Sequence, residues 1–95
     1  MSRQTAPSRE LILANHDFPG EYMIKAFGPN DAGFKAAVVR CATGVLSEAR
    51  VAATERTTRS GHRCCVTLNL SVDTVDEVEA VYAEIHTLEA LTLIF

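Results

Sequence analysis

The chain has 95 residues, 47% hydrophobic and 22% charged, with a net charge of −3. Such a length holds one domain, enough to withdraw roughly 60–70% of the unfolded surface from water, and the composition differs from that of disordered chains. The acidic balance argues against nucleic acid as a partner, because phosphates attract basic surfaces. No window approaches the roughly 20 apolar residues that span a bilayer, and Met1 to Asn15 holds no run suited to a signal peptide.

The three cysteines, two of them adjacent at Cys64 and Cys65, make a poor disulfide framework and read as free thiols in a reducing compartment. A cytoplasmic location is the expectation.

In chain order, residues 1–15 read as a flexible tail, with Glu10 to Ala14 a short apolar run at the domain edge. The domain proper is expected over residues 16–95. Asp17-Phe18-Pro19-Gly20 is a turn signal. Glu21 to Phe27 then alternates, Tyr22, Ile24 and Ala26 against Met23, Lys25 and Phe27, which predicts a first strand.

Gly28-Pro29-Asn30 ends that strand, and Asn30 or Asp31 can cap a helix whose apolar stripe is Phe34, Val38, Cys41 and Val45. Gly44 is expected to stop it in the left-handed conformation. Ala49 to Arg59 suits an exposed edge strand, and Ser60-Gly61 the turn after it. The third strand is the plainest: Cys64, Val66, Leu68, Leu70 and Val72 alternate with Cys65, Thr67, Asn69, Ser71 and Asp73.

Thr74-Val75-Asp76-Glu77 reads as a capping box, followed by a stripe of Val75, Val78, Val81, Tyr82, Ile85 and Leu88. Leu91 to Phe95 supplies a last strand. Two helices set among four strands around a central hairpin predict an α+β, ferredoxin-like βαββαβ domain: a four-stranded antiparallel sheet with both helices on one face. The opposite face is left open, and alternation assigns to it Met23, Lys25, Phe27, Cys65, Thr67, Asn69, Thr92 and Ile94. Met23, Lys25, Phe27, Thr67 and Asn69 are therefore the candidate interaction face.

The run Tyr22-Met23-Ile24-Lys25-Ala26-Phe27-Gly28-Pro29-Asn30, with Phe34 after it, resembles the "I-K-x-x-G-x-N-x-x-x-F" pattern of the YbeD-like DUF493 family of small uncharacterised bacterial proteins. The resemblance runs from about Phe18 to Phe95, with Gly61 at the family's hairpin glycine. Arg63 and Cys65 stand where the family carries an aromatic and a serine. The resemblance implies a fold like the ACT domain, a ferredoxin-like regulatory module that usually dimerises and often binds amino acids at the loop after its first strand, and it implies no established enzymatic activity.

Gly28, Asn30, Asp31 and Gly33 form that loop here. A helix start offers free backbone N–H groups to an anion, and the ACT resemblance makes these four residues the candidate site for a small anionic metabolite. The competing reading is a tight turn and a helix cap. No cofactor is implied, no catalytic residue stands out for want of a nucleophile-elbow motif, and adjacent strand cysteines point to opposite faces and cannot share a metal ion.

The expected role is a non-catalytic regulatory or adaptor domain, a homodimer that binds a metabolite or a protein. A small enzyme with an unrecognised site is one alternative. An RNA-binding module is another; RNA-recognition domains share this element order but stack bases on aromatics of the first and third strands, where the third strand here has Thr67, Asn69 and Ser71. Arg50, Arg56, Arg59, His62 and Arg63 around the hairpin are its support.

Overall fold

The structure, a computed structural model, describes residues 6–95. Its elements are α1 (Arg9–Asn15), β1 (Gly20–Pro29), α2 (Ala32–Thr43), a 3-10 turn at Glu48–Arg50, β2 (Val51–Thr57), β3 (Arg63–Val72), α3 (Val75–His86) and β4 (Leu93–Ile94). The four strands form one antiparallel sheet of order β2-β3-β1-β4. This is the ferredoxin-like arrangement, in which the two crossovers set the first and last strands side by side.

The two central strands are paired over their whole length, from Gly20 opposite Val72 to Pro29 opposite Arg63. That register brings Tyr22, Ile24 and Ala26 beside Leu70, Leu68 and Val66 on one face, all buried. Phe34, Val38 and Ala42 of α2 and Val75, Val78, Val81, Tyr82 and Ile85 of α3 complete the core against them. Side chains three or four apart on each helix share the stripe that meets the sheet, so burial of that stripe holds both helices in place.

The expected tail begins differently. Residues 9–15 form α1, capped by the Ser8 side chain on Leu11 N–H, and Ile12 is only 2% exposed. Arg9 reaches Asp76 and Glu79 on α3. One buried isoleucine and one arginine between two carboxylates give this short helix a docking site, which a search for long periodic stripes overlooks. The expectation of a flexible tail over residues 1–5 lies outside the described residues.

Three local expectations are corrected. Gly44 does not enter the left-handed region: its φ is −74°, and Val45 and Leu46 N–H both turn back onto the Ala42 carbonyl. The helix tightens its last turn instead, and among the described residues the one at positive φ is Gly61 in the hairpin, at 80°.

Thr74 stands at the N-cap of α3, but its hydroxyl makes no capping bond. Glu77 carries out the reaching half of the box one residue earlier, accepting the Asp73 N–H at 2.7 Å. The same carboxylate is gripped by both terminal guanidinium nitrogens of Arg50, at 2.6 and 3.2 Å. A forked, charge-assisted pair outweighs a hydroxyl, and it sets where Glu77 goes.

Ile94 is fully buried rather than on the open face, because β4 pairs Ile94 with Ala26 and Leu93 with Phe27. The last strand is therefore one residue out of the expected phase. Leu93 and Phe95 join the open face, and Thr92, just before the two-residue strand, donates both its backbone N–H (2.8 Å) and its hydroxyl (3.0 Å) to the Phe27 carbonyl.

Candidate functional site

The open sheet face is built by the side chains that point away from the helices. Along β1 these are Met23, Lys25 and Phe27; across the ladder stand Thr67 and Cys65 on β3, then Thr54 and Arg56 on β2. Met23 is 51% exposed and Phe95 50%. Phe95 exchanges backbone hydrogen bonds with Lys25 at 2.8 and 3.1 Å, and its ring meets that of Phe27 edge to face with centroids 5.9 Å apart. An apolar strip of Met23, Phe95 and Phe27 thus runs beside the cationic Lys25.

Beyond Lys25 the face dips into a cleft of about 320 Å³ lined by Met23, Lys25, Thr54, Glu55, Arg56, Cys65 and Thr67. Cys65 lies at its floor, only 6% exposed, between Phe27 and Arg56 in the register. Alternation assigned Cys65 to an exposed face; its neighbours' long side chains cover it. Asn69 lies farther along β3 and is exposed.

The loop residues are brought together but are already engaged. Asp31 Oδ1 accepts the Phe34 N–H at 2.7 Å, so its own carboxylate holds the start of α2 where an external anion would approach. Asn30 donates its side-chain N–H to the Gly61 carbonyl at 3.0 Å and its backbone N–H to His62 at 3.2 Å. Gly33 lies beside the Asp31 carboxylate, 3.3 Å from where a Cβ would sit, and Gly28 underlies the Phe34 ring. The loop is a brace between α2 and the β2–β3 hairpin.

The basic cluster divides. Arg56, Arg59, His62 and Arg63 are exposed around the hairpin. Arg50 stands at the far end of β2, bonded to the Ser71 carbonyl at 2.9 Å and paired with Glu77 and Asp73. The forked contact with Arg50 and the N–H of Asp73 hold the Glu77 carboxyl below the usual glutamate range.

Elsewhere, burial and the hydrogen bond shared with Tyr22 push the Tyr82 phenol far up. Burial likewise raises the thiols of Cys41 and Cys64, which keeps them protonated and weakly nucleophilic. Among the described residues no three His, Cys, Asp or Glu side chains are grouped to hold a metal ion, and no helix is long and apolar enough to cross a membrane.

Sequence reasoning missed Leu93 and Phe95 on the open face and Arg56 at the cleft. Arg56 joins the cleft only through the register of three strands, and Phe95 lies just past a strand of two residues, so neither carried a sequence signal. No curated protein matches the chain. The model of DUF493, a protein family of unknown function, matches residues 14–95, and the chain belongs to that family.

Proposed function

We propose that this is a non-catalytic regulatory or adaptor domain of the cytoplasm, a homodimer that acts by binding a partner over its open sheet face. The observation that carries this reading is the juxtaposition of half-exposed Met23 and Phe95 with Lys25 and Arg56 around one cleft. Apolar surface supplies the driving force for association, and the two cations select an anionic partner, an acidic protein segment or a small metabolite carboxylate.

Amide chemical shifts recorded while titrating acidic peptides and anionic metabolites test the reading. Perturbations should gather at Met23, Lys25, Phe27, Arg56 and Thr67 and vanish in a Lys25→Glu, Arg56→Glu protein. Perturbations confined to the loop of Gly28, Asn30, Asp31 and Gly33 would move the site there, and turnover of any ligand would replace the reading with an enzyme.

RNA binding is a second reading, favoured by one observation: the Phe27 and Phe95 rings both stand on the open face. It requires an affinity that falls with salt and falls again when Arg56, Arg59 and Arg63 are neutralised.

A further inference from the structure

The outer edge of β2 is a row of backbone groups with a defined phase. Asn30 N–H bonds to His62 and Thr58 N–H to Arg63. In an antiparallel ladder bonded pairs alternate, so even-numbered residues of β3 face β1 and odd-numbered ones face β2. It follows that Ala52, Thr54 and Arg56 bond inward to β3, while Val51, Ala53, Glu55 and Thr57 direct their N–H and C=O groups outward. The Val51 N–H is taken by Glu48; nothing else among the described residues covers this edge, and residues 52–57 are all exposed.

The helix side of the same edge is hollow. Ala53 is exposed, and a groove of about 440 Å³ opens between it and α2, lined by Lys35, Ala36, Val39, Arg40, Ala53 and Glu55 among others. Lys35 and Glu55 pair across it at 3.4 Å. The groove therefore carries two cations on its helix wall and one carboxylate on its strand wall.

We propose that a second copy of this chain adds its own β2 to this edge, antiparallel, with the two-fold axis passing between the two Thr54 residues. This rests on the homodimer proposed above and names its surface and register. The outward-facing residues are all odd-numbered, so odd must pair with odd, which keeps both pairs of helices on one face of a continuous eight-stranded sheet. An axis at Glu55 sets two carboxylates face to face and an axis at Arg56 two guanidiniums, both unfavourable. An axis at Ala53 leaves Thr57 beyond the partner strand.

The axis at Thr54 pairs Val51 with Thr57, Ala53 with Glu55 and Thr54 with itself, using the whole strand and making about six new backbone hydrogen bonds. In that register each Glu55 stands opposite the other copy's Ala53, at the mouth of a groove walled by Lys35 and Arg40. The Glu48 carboxylate also comes beside the basic hairpin at Arg59. Charges that forbid the neighbouring registers are complementary in this one.

The register is read by cross-linking the full chain in a Cys41→Ser background, since Cys64 and Cys65 are buried. Two Thr54 residues form a non-bonded pair, with Cα atoms about 4.5 Å apart, within disulfide reach. Thr54→Cys should cross-link to a dimer under mild oxidation; Ala52→Cys or Arg56→Cys alone should not, while their mixture should. Light scattering on the unmodified chain is run alongside. A dimer in solution with no Thr54→Cys cross-link overturns this interface and leaves self-association standing, whereas a monomer at all accessible concentrations overturns both and leaves the edge to a strand of another protein.

Discussion

The ring of Phe34 occupies the space where a side chain on Gly28 would begin: a Cβ built there would lie 2.4 Å from the ring's outermost carbon. Phe34 is 4% exposed and is itself fixed by the Asp31 cap on its N–H. The glycine of β1 and the first large apolar residue of α2 are thus one packing unit, joined across a short loop.

A Gly28→Ala protein should accordingly lose about 1–3 kcal/mol, the usual cost of forcing a methyl into a filled interior. Urea denaturation measures it. Gly33→Ala, whose added methyl meets only the Asp31 carboxylate at 3.3 Å, should lose much less.

Acidification should weaken the fold through Glu77. Its carboxyl titrates lower in the folded chain than in the unfolded one, so its contribution is complete above the ordinary glutamate range and is lost as pH falls through the lowered folded value. Melting temperatures measured from neutral pH downward should drop over that window, and the drop should shrink in Glu77→Gln, which starts from a lower value because Arg50 has lost its forked carboxylate and keeps only Asp73 and the Ser71 carbonyl.

Tyr22 and Tyr82 share a buried hydrogen bond of 3.1 Å between their hydroxyls. Tyr82→Phe should cost about 1–2 kcal/mol by leaving Tyr22 unsatisfied, and Tyr22→Phe, Tyr82→Phe together should cost less than the two single changes added, as a double-mutant cycle would show. Alkali adds a second readout. The folded phenol titrates above the unfolded one, so stability is complete below about pH 10 and falls as pH rises beyond it; Tyr82→Phe should flatten that fall.

Ile12→Ala should release α1 without unfolding the sheet, because the helix is held by that side chain and by Arg9 on Asp76 and Glu79. Hydrogen exchange should show residues 9–15 losing protection while β1 and β3 keep theirs. Simultaneous loss of protection throughout would mean that α1 is integral to the core.

What was legible in the residues were features with a long period. Cys64 to Val72 alternates over nine residues, and neither a shift of face nor another element satisfies it. The stripe of Val75 to Ile85 is equally redundant. Features resting on one or two residues were not legible. The phase of β4 depends on which of Leu93 and Ile94 meets Ala26, and both are apolar. Whether Gly44 turns left-handed depends on how the carbonyl of Ala42 is satisfied.

At the candidate site the loop and its local cap were legible, but not the engagement of Asn30, whose bonds run to a hairpin some thirty positions away. Cys65 and Arg56 became part of a cleft only through the register of three strands. Such assignments require the fold first.

The position of β1 has a consequence for how the chain is made. It lies between β3 and β4, and Phe27 waits for Thr92, 65 residues downstream, to reach its carbonyl. During synthesis β1 emerges with both edges bare and an apolar face exposed, and no local partner can shield it. The β2–β3 hairpin needs only local contacts, whereas the sheet closes only once β4 is present, so a chain cut before Leu93 should bare the outer edge of β1 and be the form most prone to aggregate.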